Sequence, residues 1–168
     1  MKVIFLDIDG VLATDQQFGT VRKNFQAKHH WARKLNVPYP YCQRAVAVLN
    51  EILMETGAEI VLSSDWKKFW NLEKLDIIFR ANGIIKSPID TTGYMRAGFM
   101  DEYDRDRALQ IMTYIYDKNV TDYVIIDDMY LEEFLVDNED RFFRTNSWEG
   151  IKITGLKEKI INKLNETV

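Results

Sequence analysis

The stretch FLDIDGVL, Phe5–Leu12, decides the fold. The apolar run Val3–Leu6 leads into two aspartates, Asp7 and Asp9, and stops at Gly10. Residues two apart face the same side of a strand, so these carboxylates share a face only while the strand persists. A turn after Asp7 leaves its carboxylate at the strand tip and swings Asp9 above it, with Gly10 supplying the backbone freedom. Two carboxylates crowded at one point repel and favour a divalent cation. Oxygen-only ligands suit magnesium, which binds through a few carboxylates together with substrate phosphate.

Three further signals stand at the ends of apolar runs or beside them. In IVLSSDW, Ile60–Trp66, the hydroxyls of Ser63 and Ser64 follow a strand, where a hydroxyl and a backbone N–H can hold a phosphate oxygen. In VIIDDM, Val124–Met129, a buried-strand run stops at Asp127 and Asp128, a second acidic pair that completes a magnesium site with Asp7 and Asp9. Arg107 opens the helix leading into that strand and can neutralise the charge of a phosphorylated intermediate.

The rhythm of the chain brings these signals together. Strands are expected at Val3–Leu6, Ile60–Leu62 and Tyr123–Ile126, with weaker ones at Gly83–Ile85 and Arg141–Arg144. Helices are expected over Cys42–Thr56, with Ala45, Val48, Leu49 and Ile52 inward, and over Trp70–Ala81. Two more are expected over Arg105–Asp117, with Leu109, Met112 and Ile115 inward, and over Leu156–Asn165 behind a Thr154 N-cap. This alternation predicts an α/β fold, a Rossmann-like doubly wound and mainly parallel sheet, in which strand-end residues meet at one edge.

The 168 residues suit a single domain, 1–168. An insertion at about 13–41 separates the first strand from its helix, a length more often functional than idle. It is expected to hold a small flap or cap over the strand ends. Its run Arg22, Lys23, Lys28, His29, His30, Arg33, Lys34 interleaves Phe25 and Trp31, a mixture able to grip a polyanion with stackable bases. A solvated helix face reads equally well, and His29 and His30 read as surface residues.

The net charge of −4 argues against a protein that coats nucleic acid through a broad basic face and leaves room for a local basic groove. No apolar run approaches the roughly 20 residues that a membrane span requires, and the N-terminus reads as a strand, so the expected location is the cytoplasm. Cys42 is the sole cysteine, which excludes an internal disulfide and a cysteine metal cluster and leaves a packing residue. Trp66, Phe69 and Trp70 read as packing for the helix that follows, with base stacking as the other reading.

Taken in order, the four signals resemble the four motifs of phosphatases of the haloacid dehalogenase (HAD) superfamily. DIDGV is similar to that superfamily's DxDx[TV], with Asp7 matching the nucleophile and Asp9 the acid/base. Ser63, Arg107 and the Asp127–Asp128 pair match the other three motifs. The set most resembles the HAD domains of Swiss-army-knife RNA repair proteins, and is also similar to the 3′-phosphatase domain of phage-type polynucleotide kinase. That resemblance implies a Mg2+-dependent phosphohydrolase that forms an aspartyl-phosphate on Asp7. Ser63, Ser64, Gly10 and Arg107 would bind the phosphate, and Asp7, Asp9, Asp127 and Asp128 the metal, Asp9 through its backbone carbonyl.

The implied substrate is a terminal phosphate on a nucleotide or nucleic-acid end, with Lys67, Lys28, Arg33 and Lys34 as candidate substrate-binding cations. A small-metabolite phosphatase and a non-catalytic binding module remain as alternatives. Asp65 departs from the SSSWR stretch common in such domains by adding a negative charge where Lys67 keeps the positive one.

Overall fold

Five strands form one parallel sheet in the computed structural model, which describes residues 1–14, 22–93, 103–135 and 138–166. They are β1 (Lys2–Leu6), β2 (Glu59–Leu62), β3 (Pro88–Thr91), β4 (Asp122–Asp127) and β5 (Phe142–Arg144), in spatial order β3-β2-β1-β4-β5. The chain moves outward from β1 to β2 and β3, then returns to pair β4 with the other side of β1. The order therefore reverses between β1 and β4, and ligands of open α/β sheets bind in the crevice that such a reversal opens at the carboxyl ends. Asp7 follows β1 and Asp127 ends β4, so the two acids flank that crevice.

Side-chain alternation on β1 divides the core in two. Ile4 and Leu6 belong to a large apolar cluster under the helices α3 (Gln43–Thr56), α4 (Leu72–Ala81) and α6 (Leu156–Asn165). Val3 and Phe5 point the other way, into a second cluster with Ala108 and Ile111 of α5 (Tyr103–Lys118). Such strands, buried on both faces, need long apolar runs, which is why β1 and β4 stand out in the sequence. The insertion forms two short helices, α1 (Arg22–Lys28) and α2 (His30–Leu35). Its residues 15–21 lie outside the described residues, as do the side chains of Arg22 and Lys23.

Four local expectations are corrected. The segment Gly83–Ile85 is not a strand: Gly83 takes φ 85° and the Ile84 amide folds back onto Phe79, closing α4, so that β3 begins only at Pro88. Proline is tolerated there because β3 is an edge strand. Helix α4 starts at Leu72 rather than Trp70, because the Asn71 side chain caps it by accepting from the Lys74 amide. The cap of α6 is Gly155 at φ 78°, not Thr154, and no side chain caps that end.

On α5, Leu109 is exposed. Met112 and Ile115 pack inward as expected, with Tyr114, against the cluster that holds Ala108 and Ile111, and Arg107 is buried on the same helix. Among the described residues no helix is long and apolar enough to cross a membrane.

Candidate active site

The turn after β1 is fixed by its own backbone. The Ile8 carbonyl accepts from the amides of Val11, Leu12 and Ala13, while the Gly10 amide donates to Ala13. Gly10 takes φ 73°, and a Cβ there would overlap the Asp128 carboxylate. Its role is thus to let β1 and β4 approach closely; its N–H, expected to face phosphate, is engaged within the turn. Thr145, just past β5, donates its hydroxyl to the Gly10 carbonyl at 2.8 Å.

Beyond this turn the acids gather. Asp7, Asp127 and Asp128 each offer an oxygen within 4.8 Å of the others, a spacing that one cation can bridge. Little water is left to separate their charges, since Asp7 and Asp127 are buried and Asp128 is half-buried. Burial and then the neighbouring Asp7 push Asp127 above the usual carboxylate range. The same causes, with Asp9, push Asp128 up to about 6. This electrostatic strain is what a divalent ion would relieve, so the donor set fits magnesium.

Arg107 supplies the fixed countercharge. Its guanidinium donates to Asp127 Oδ2 at 2.7 Å and lies 3.3 Å from Asp7 and 3.5 Å from Asp65. Burial disfavours its charge, but Asp7, Asp127 and Asp65 outweigh that and raise its pKa. The remaining Asp127 oxygen accepts from the Met129 amide at 3.0 Å.

After β2, a single 3₁₀ turn at Asp65–Lys68 delivers one side chain to each part of the site. Asp65 reaches Arg107 and Lys68, Trp66 donates its indole N–H to Asp9 Oδ2 at 3.0 Å, and Lys67 turns inward. Ser64 caps the turn by accepting from the Trp66 amide, whereas Ser63 presents a buried hydroxyl that has no hydrogen-bond partner among the described residues. A buried hydroxyl left so is costly without a ligand to satisfy it. Lys67 donates to Thr92 Oγ1 at 2.6 Å and to Gln110 Oε1 at 2.5 Å; burial and then Arg107 push its pKa down to about 8.

Asp9 is half-buried and stands apart from the three clustered carboxylates, with one oxygen held by Trp66 and the other accepting from the Tyr39 hydroxyl at 2.5 Å. Burial raises its pKa, which the Tyr39 bond opposes and Asp7 reinforces. Asp7, Asp9, Ser63, Lys67, Arg107, Asp127 and Asp128 are thus brought to one sheet edge. Lys28 on α1 and Arg33 and Lys34 on α2 are exposed, as are His29 between the two helices and His30 at the start of α2. Cys42 is buried at the start of α3, as its packing role requires.

Three site residues escaped sequence reading. Trp66 reads in the sequence as packing or base stacking and not as a donor to Asp9, Asp65 reads only as a departure, and Tyr39 carries no signal at 30 residues from its partner. An open cleft of about 480 Å3 lined by Phe25, Trp31, Tyr41 and Arg44 lies against the insertion, and none of the acids borders it. No curated protein and no solved structure matches the chain. A family model describing the HAD domain in Swiss Army Knife RNA repair proteins matches residues 3–154, and the chain belongs to that family.

Proposed function

We propose that this chain is a Mg2+-dependent phosphohydrolase that removes a terminal phosphate from a nucleotide or nucleic-acid end through an aspartyl-phosphate on Asp7. Membership of the family implies phosphohydrolase chemistry, and its description as part of RNA repair proteins favours a nucleic-acid substrate. The observation that carries the reading is the convergence of three clustered acids, a buried arginine and a buried serine hydroxyl without a partner among the described residues at the β1/β4 crevice.

In this mechanism an Asp7 oxygen attacks phosphorus in line as the bond to the leaving oxygen breaks, and Asp9 gives that oxygen its proton. Asp9, now a carboxylate, takes a proton from the water that attacks the phosphorus of the aspartyl-phosphate. Phosphate leaves and Asp7 is restored. Ser63 donates to a phosphoryl oxygen, and Arg107, already beside Asp7, neutralises charge on the transferring group. Asp7, Asp127 and Asp128, with the Asp9 backbone carbonyl, would hold magnesium, which supplies further charge neutralisation there.

The test is a substrate panel with magnesium: 3′- and 5′-phosphorylated oligonucleotides, mononucleotides and sugar phosphates, each with wild type and Asp7→Asn. Expected is hydrolysis of a nucleic-acid or nucleotide monoester that Asp7→Asn abolishes while its circular dichroism stays unchanged. Hydrolysis confined to sugar phosphates would favour the small-metabolite reading. No turnover with any ester would return the chain to a binding role.

A further inference from the structure

We infer that Tyr39, carried by the insertion, is a positioning residue that together with Trp66 fixes the Asp9 carboxylate for proton transfer. The inference rests on the phosphatase reading and adds to it a function for the insertion that does not depend on contact with substrate.

Both Asp9 oxygens are held from outside their own loop. The Tyr39 hydroxyl donates to Oδ1 at 2.5 Å and the Trp66 indole to Oδ2 at 3.0 Å, across 30 and 57 residues of sequence. One donor would leave the carboxylate free to rotate about its own bond. Two donors on different oxygens fix the plane as well as the direction. General acid/base work requires the carboxylate within hydrogen-bond reach of the leaving oxygen, and a misplacement of 1 Å can lower the rate about 10²-fold.

The donors are themselves braced. The Tyr39 and Trp66 rings meet edge to face at 5.9 Å, Trp66 packs on Tyr41 at 5.4 Å and on Trp70 at 4.7 Å, and the Trp70 indole donates to the Leu35 carbonyl at the end of α2 at 2.8 Å. The insertion and the 3₁₀ turn after β2 are therefore clasped around Asp9 by aromatic packing and two indole N–H groups. Within the clasp the partners differ in kind. An indole N–H only donates, so Oδ2 remains an acceptor throughout, whereas a tyrosine hydroxyl donates or accepts. The Asp9 carboxyl thus keeps both partners whether or not it carries a proton.

Tyr39→Phe removes only the hydroxyl and keeps the ring packing. The experiment measures kcat and KM for wild type, Tyr39→Phe, Asp9→Asn and the double variant, on an aryl phosphate with a good leaving group and on an alkyl phosphate with a poor one. Expected for Tyr39→Phe is a kcat loss of about 10- to 100-fold on the alkyl ester, a much smaller loss on the aryl ester, little change in KM, and no further loss in the Asp9→Asn background.

A second readout needs no turnover: the indole N–H resonance of Trp66, assigned by its disappearance in Trp66→Phe, should move in Asp9→Ala. Equal losses on both esters, additive losses in the double variant, or an indole signal indifferent to Asp9 would overturn the inference while wild-type activity left the phosphatase reading intact. A wild type inert toward every ester would overturn that reading, and this inference with it.

Discussion

Arg107 donates to Asp127 at 2.7 Å from a helix that begins across the sheet edge, and this ion pair is buried on both sides. The same guanidinium touches Asp7 and Asp65, so one cation serves acids from β1, β4 and the turn after β2. Removing one partner of a buried pair leaves an uncompensated charge, which typically destabilises by about 3–5 kcal/mol. Arg107→Ala should therefore lose stability and, in the fraction that folds, about 10²- to 10³-fold in kcat, the range seen when one charge-stabilising donor is removed. Arg107→Lys should recover stability better than kcat, because an ammonium cannot reach three acids in one plane. Denaturant melts and steady-state kinetics on both variants decide it; wild-type kcat in Arg107→Ala would remove the residue from the mechanism.

Crowding of Asp7, Asp127 and Asp128 makes a prediction that needs no substrate. An ion bound only by the folded chain stabilises it by about 2.7 kcal/mol at a hundredfold excess over Kd, and a domain of this size gains about 2–4 °C in Tm per kcal/mol. Magnesium should thus raise Tm by about 5–10 °C, and EDTA should reverse it. Asp128→Ala should weaken the effect and Asp127→Ala abolish it. A magnesium titration that leaves the melting curve in place would remove the metal from these residues.

What could be read from the sequence follows from where the chain is forced to stop being apolar. Buried parallel strands end abruptly in polar residues, so Asp7, Ser63 and Asp127 announce their edge, and parallel topology then requires the three to meet. Arg107 was legible for a related reason: it sits one helix ahead of β4, on the stripe that faces the sheet. Leu109 lies off that stripe and is exposed, whereas Ala108 and Ile111 beside it are buried.

Tyr39 could not be read, because its contact with Asp9 arises from how the insertion folds and not from local pattern. Trp66 was half legible. Its ring packs as an aromatic residue should, but sequence does not say which way the N–H points, and here it points at the acid/base.

Lys67 sets a pH limit. Burial pushes its pKa from the ordinary lysine value of 10.5 down to about 8, so in the folded chain the charge is present below that pH and lost above it. If the ammonium helps to neutralise the phosphoryl group, kcat/KM should fall as pH rises through about 8, and Lys67→Arg should carry activity to higher pH. The stability consequence has the opposite direction. Between about 8 and 10.5 the unfolded chain binds a proton that the folded chain does not, so unfolding becomes harder as pH rises across that window. Lys67→Met should lose that slope. An alkaline limb that is identical in Lys67→Arg, together with an unchanged stability slope in Lys67→Met, would show that the group does not titrate there.

Two glycines separate backbone strain from close approach. Gly10 and Gly57 take nearly the same left-handed φ, 73° and 68°, but a Cβ at Gly57 would meet nothing within 4 Å whereas at Gly10 it would overlap the Asp128 carboxylate. Gly57→Ala ends α3 with a strained residue and should lose about 1–2 kcal/mol of stability with kinetics unchanged. Gly10→Ala carries the same strain and must also displace Asp128, so it should lose more stability and require higher magnesium for half-maximal activity. The difference between the two variants, measured as denaturant midpoints and magnesium titrations of rate, is then the contribution of contact between the β1 turn and β4. Equal stability losses and equal magnesium requirements would mean that Asp128 moves aside freely, and that its position against Gly10 does not set the metal affinity.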